Sequence, residues 1–124
     1  MENELEKMIM KIITAMDIIG FDTKNNSIED LLLNDRENIN AVYKRTIEKF
    51  GNSTIKEKSY NFLFDLFNKN NGRTLFDVLE NIYKDEMKIF NTNLQVNFIK
   101  EIRNIEGLEK ELVIMQGIKD LLGD

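Results

Sequence analysis

The sequence predicts an all-α fold: a compact bundle of five main helices plus one short helix, joined by short loops. Three observations carry this. Apolar residues recur at spacings of three and four along the chain, the signature of one helix face. No segment alternates apolar and polar with period two, as a half-buried strand would. Capping residues and glycines separate the apolar blocks about every 15 to 20 residues, the rhythm of a bundle with short connections. At 124 residues, the chain is expected to form a single helical domain over 1–124, large enough to bury one core without staples.

The first helix is read from Leu5, Met8, Ile9, Ile12, Ile13, Met16 and Ile19, an arc broader than a coiled-coil seam. Gly20 follows as its C′ residue, because glycine takes the left-handed conformation without a Cβ clash. Ser27-Ile28-Glu29-Asp30 gives a capping-box-like start to a short apolar turn ending near Leu33. The next helix carries Ile39, Val42, Tyr43, Ile47 and Phe50 on one face and closes at Gly51. Thr54-Ile55-Lys56-Glu57 reads as a capping box for a helix bearing Ile55, Tyr60, Phe62, Leu63, Phe64, Leu66 and Phe67. Those side chains occupy about half the circumference, too much for a helix covered on one side. This is the expected central helix.

The stretch "NKNNGRTLFD", residues 68 to 77, is the one segment that invites a ligand. An EF-hand with Gly72 at its sixth position would place Phe67, Lys69 and Val78 where carboxylates are required. A phosphate loop needs a longer glycine run ending in Lys and Ser or Thr. Neither fits. The plain reading accounts for the residues: asparagines tolerate turn geometry, Gly72 makes a left-handed stop, and Thr74 with Asp77 caps the next helix. That helix is expected to carry Leu75, Val78, Leu79, Ile82, Tyr83, Ile89 and Phe90. Thr92-Asn93-Leu94-Gln95 caps a further helix with Leu94, Phe98, Ile102 and Ile105 inward, broken at Gly107. A last one runs from Leu108 to Leu122.

Composition excludes more than it identifies. Hydrophobic residues make up 42% and charged residues 31%, as in a soluble globular protein. There is no Cys, hence no disulfide, thiolate metal site or Cys nucleophile, and no His, the commonest general base and metal ligand. Seventeen basic against 22 acidic residues give a net charge of −5, which disfavours direct nucleic-acid binding and mildly favours a basic protein partner. The opening residues lack a cationic n-region and a cleavage site. The apolar run from Met8 to Ile19 contains Lys11 and Asp17 and is too short to cross a membrane. A cytoplasmic location is expected. Asn and Ile each occur 16 times and Lys 13 times, a bias associated with AT-rich genomes such as those of low-GC bacteria and their phages.

Glu86 falls between Leu79, Ile82 and Phe90 on its helix, and Lys119 between Leu112, Met115 and Leu122 on the last. A buried Glu86–Lys119 pair would fix helix register, since a lone buried charge is costly. The plainer alternative, that both stems bend outward to water, is favoured because charges are rarely buried. Met10, Ile18, Val96 and Val113 point away from their own helices' apolar arcs, and Tyr60 and Phe64 add aromatic surface to the central helix. These six are the candidate interface, because aromatic residues and Met are enriched at interface cores. Carboxylate pairs such as Asp85-Glu86 lack the histidines of a di-metal site. The cations Lys44, Arg45, Lys49, Lys56 and Lys58 are interrupted by Glu48 and Glu57 and do not share one helical face, so they read as ordinary surface charge.

The function expected from these features is non-enzymatic, with no catalytic residue, cofactor or metal. The leading reading is a small acidic inhibitor, immunity or anti-defence protein that occludes a partner's surface. The alternative is a homo-oligomeric structural or assembly protein of a phage or mobile element.

Overall fold

The computed structural model describes residues 4–23, 25–26, 28–89, 118–119 and 121–122. Six helices are defined there, α1 (Glu4–Ile18), α2 (Ile28–Leu32), α3 (Arg36–Phe50), α4 (Thr54–Asn70), α5 (Leu75–Ile82) and α6 (Lys84–Ile89). Among the described residues there is no strand, only an isolated bridge between Asp35 and Thr74. The all-α expectation holds, and the helices pack as a compact bundle. The run read as one helix from Leu75 onward divides in two. The segments expected at 94–105 and through most of 108–122 lie outside the described residues.

The α1 stripe behaves as its spacing requires. Leu5, Ile9, Ile12, Met16 and Ile19 are fully buried. Full burial is worth about 1.5–3 kcal/mol for each large aliphatic side chain. Gly20 ends the helix with φ +105°, and the amides of Gly20 and Phe21 donate to Asp17 and Met16 carbonyls at 3.1 and 2.9 Å. This is the paired bonding of a Schellman stop. In α2, Ile28, Leu31 and Leu32 are buried while Leu33 is 55% exposed. The extended Asp35 caps α3 by accepting the Asn38 amide at 2.8 Å.

α4 packs against α1, α3 and α5, which bears out its central place. Its most buried face is narrow: Ser59, Leu63 and Phe67 turn inward, with Ile55, Tyr60, Phe62 and Leu66 half-buried around them. Ser59 is fully buried on that face, and its hydroxyl has no hydrogen-bond partner among the described residues.

The cap of α4 lies one residue earlier than the sequence suggested. Ser53 is extended and accepts the Lys56 amide at 3.3 Å, while Thr54 is the first helical residue. Lys56 then stands at N3, so the reciprocal carboxylate bond expected from Glu57 is replaced by a single cap. Ser53→Ala is expected to cost about 0.5–2 kcal/mol, the usual loss for a serine N-cap. Thr54→Ala, which removes no cap, should stay within about 0.5 kcal/mol in urea denaturation. Equal losses would return the cap to Thr54.

The 68–77 segment is a turn, with one reassignment. Asn71, not Gly72, takes the left-handed conformation (φ 51°, ψ 32°). Gly72 is required for a different reason: a Cβ there would collide with Val78 Cγ2. The Thr74–Asp77 capping box is present, with reciprocal bonds of 3.1 and 3.2 Å. The turn also ties α3 down, because the Arg36 amide donates to the Arg73 carbonyl at 3.2 Å.

α5 ends at Tyr83, whose φ −123° and ψ 57° interrupt the helix before Lys84. Asp85 and Glu86 then lie in the first turn of α6, where the helix dipole favours acids. The break changes which residues face inward. Met87 is buried, Ile82 is 40% exposed, and Glu86 lies at the surface instead of at the middle of an apolar stripe.

Candidate functional site

α3 and α4 form an antiparallel hairpin whose register is read from its contacts. Arg36, Asn40 and Tyr43 share one face of α3 at spacings of four and three, and Tyr60, Phe64 and Phe67 do the same on α4. The two faces meet. Tyr43 stacks on Tyr60 with ring centroids 4.1 Å apart and planes 15° from parallel, and Tyr60 stacks on Phe64 at 5.5 Å and 24°. The Tyr60 hydroxyl donates to Asn40 Oδ1 at 3.0 Å. The Arg36 guanidinium closes the strip, 5.6 Å from the Phe64 ring centroid and 5.5 Å from that of Phe67.

All three stacked rings are half-buried. Each has one part in the hairpin seam and one part in water, so the strip is an aromatic surface held in place by ring stacking, a hydrogen bond and a cation–π contact. Burial raises the Tyr43 pKa above the usual tyrosine value, with smaller contributions from the Glu57 carboxylate and from Tyr60. All three favour the neutral phenol in the folded chain. A folded-state pKa raised above the unfolded one gives stability that is complete below about pH 10 and is lost as pH rises through the folded value. Stability is therefore expected to fall above about pH 10, and Tyr43→Phe should lessen that fall in urea titrations at a series of alkaline pH values.

The six candidate interface residues divide. Tyr60 and Phe64 belong to the strip, joined by Tyr43, which the sequence placed simply on the core side of its helix. Met10 and Ile18 are half-buried at the margin of the core, so α1 is covered on more than one side and neither stands free of it. Val96 and Val113 lie outside the described residues. Glu86 and Lys119 are both exposed. The buried charge pair is not formed, and the outward-reaching alternative describes them. Among the described residues no three Asp or Glu side chains gather as metal ligands, and no helix is long and apolar enough to cross a membrane.

No protein-family model matches this chain, no curated protein matches it in sequence, and no solved structure matches its fold. The aromatic strip therefore has to be interpreted from its own chemistry. Its signal in the sequence was Tyr43 on one helix and the Tyr60, Phe64 and Phe67 spacing on the next. The pairing of Tyr43 with Tyr60 needed the α3–α4 register, which depends on where the Gly51–Ser53 connection turns the chain.

Proposed function

We propose that this chain is a non-enzymatic protein-binding module, a small acidic inhibitor, immunity or anti-defence protein that works in the cytoplasm by occluding a partner's surface. The observation that carries the reading is the Tyr43–Tyr60–Phe64 strip. Tyrosine and phenylalanine offer large contact areas at small entropic cost, and these rings are ordered before any partner arrives. The net charge of −5 over the whole chain mildly favours a basic partner, although α3 and α4 themselves carry seven basic side chains against four acidic ones.

The test is affinity capture with the tagged chain from lysate of its source cells, at low and moderate salt, beside a Tyr60→Ala/Phe64→Ala variant. One near-stoichiometric partner is expected. Its yield should decline as salt rises, and its affinity for the variant should drop about thirtyfold or more, the loss of 2 kcal/mol or greater that marks an interface hot spot. Recovery of the chain alone as a defined oligomer, disrupted by the same variant, would replace this reading with a homo-oligomeric assembly protein.

A further inference from the structure

A second surface lies at the other end of α3. Asn38, Val42, Arg45 and Lys49 recur at helical spacing along one face of that helix, and they form one wall of an open groove of about 520 Å³. The rest of the lining comes from the α1–α2 connection, with Phe21 and Asn26, and from the α2–α3 connection, with Asn34. Phe50 stands at the end of the groove with 69% of its surface exposed, although the periodicity of α3 had assigned it to the core.

The cations that looked scattered in sequence converge here. The turn at Gly51 folds α4 back on α3, so that the Lys49 and Lys56 ammonium groups lie 5.2 and 5.4 Å from the centroid of the same Phe50 ring. Lys56 also donates to the Gly51 carbonyl at 3.2 Å, which explains its position as a cap on the end of α3. Lys49 rests on the Phe50 ring but caps no carbonyl as Lys56 does. Among the described residues no carboxylate lies within ion-pair distance of either. Asp22 also lines the groove, but its carboxylate accepts the Asn25 amide at 3.2 Å and the Asn25 side chain at 2.7 Å and so holds its own turn together.

We propose that this groove is a docking site for an acidic peptide segment of a partner protein, one apolar side chain flanked by Asp or Glu. The apolar side chain packs among Phe21, Val42 and Phe50, and its flanking carboxylates meet Arg45 and Lys49 in charge-assisted hydrogen bonds. The asparagines suit a peptide backbone. The Asn26 and Asn34 Nδ2 groups donate to Asp22 and Asp30 carbonyls at 2.6 and 3.0 Å, which leaves each side chain an acceptor oxygen for a peptide N–H. An open groove does not enclose the 70–90% of surface that a small-molecule site usually buries, whereas a segment of chain can lie along it. The net charge of −5 does not prevent this, because at physiological salt exposed charges act over a Debye length of about 8 Å. Within that range the groove presents Arg45 and Lys49 against one carboxylate, Asp22, which already accepts from Asn25.

The proposal shares with the aromatic-strip reading only that the ligand is a polypeptide. It is tested with the full chain by selecting a displayed random dodecapeptide library on the wild type, with counter-selection on an Arg45→Glu/Lys49→Glu variant. Arg45, Lys49 and Phe50 are exposed and Tyr60 and Phe64 half-buried, and circular dichroism with thermal melting checks that each variant folds. Selected peptides are expected to carry an apolar residue flanked by acids. In fluorescence anisotropy they should bind the charge-reversed variant at least thirtyfold more weakly and Phe50→Ser at least tenfold more weakly. The same peptides with Lys in place of Asp and Glu should regain binding to the charge-reversed variant. Tyr60→Ala/Phe64→Ala should leave these affinities unchanged, so the failure of either site is read without touching the other. Selection of peptides with no acidic bias would overturn the proposal. Tighter binding of decathymidylate than of the acidic peptides would assign the corner to a nucleic-acid strand instead. Concentration-dependent dimerisation in sedimentation, abolished by Arg45→Glu/Lys49→Glu, would assign it to a second copy of the chain.

Discussion

Phe67→Ala is expected to lose about 3–5 kcal/mol of stability, the range for truncating a fully buried aromatic side chain. Phe67 has no exposed surface and sits on α4, the helix that contacts α1, α3 and α5. Its removal opens a cavity that rigid neighbouring helices fill only in part. The Arg36 guanidinium, 5.5 Å from the ring centroid, also loses one of its two aromatic partners. Small domains have about 5–15 kcal/mol in total, so this single change removes a large share. The check is urea denaturation followed by circular dichroism, with Asn68→Ala, an exposed neighbour, as the control within about 0.5 kcal/mol. A loss below about 1 kcal/mol at Phe67 would mean that α4 is not the helix around which the bundle packs.

Gly72→Ala should be the second large effect, and it acts by excess volume where the first acts by loss. The added Cβ would collide with Val78 Cγ2 and stand 3.1 Å from the Thr74 carbonyl oxygen and 3.2 Å from the Val78 amide nitrogen. The closest atom belongs to a side chain, but the other two belong to the backbone of the Thr74–Asp77 cap and the first turns of α5, which have little freedom to shift. Overpacking of this kind costs about 1–3 kcal/mol, sometimes more. Because the worst contact is with Val78, Val78→Ala in the same chain should recover part of the loss. The double-mutant cycle is expected to show favourable coupling of about 1 kcal/mol. Strict additivity would show that Gly72 serves the turn by backbone conformation and not by lack of bulk.

These two residues show what kind of information the sequence held. Phe67 was legible as core because its burial follows from periodicity on one helix, a local property. Gly72 was legible as a special position, but its role was misread. Either a left-handed φ or a close approach can require glycine, and only the position of Val78 against the turn decides between them. Asn71 took the left-handed role because asparagine tolerates that conformation at modest cost. The cap of α4 was misplaced by one residue for a similar reason. Ser53 and Thr54 are both competent caps, and the choice rests on which of them is extended.

Glu86 illustrates a longer-range failure. Its expected place on an apolar stripe assumed that the helix opened by Thr74 continued past Tyr83. Nothing as strong as a proline or glycine marks the break; the remaining local signal is the Asp85-Glu86 pair that begins α6. Once the helix is divided, the phase of the stripe changes, Met87 turns inward and Glu86 turns out. Phe50 failed at an end. The last residue of α3 keeps the helical phase of Ile39 and Ile47, but no element among the described residues covers it, and periodicity is silent about where packing stops.

By itself, the sequence determined the helical class, the stripes of α1 and α2, the glycine stops after α1 and α3 and the capping box of α5. Each depends on interactions within a few residues, where side-chain type and spacing suffice. The tertiary structure alone decided that Tyr43, Tyr60 and Phe64 form one stacked strip, and that Lys49 and Lys56 converge on Phe50. Both arrangements join residues across a hairpin, so they depend on the register in which two helices pack, and register is fixed by the whole core and not by either helix.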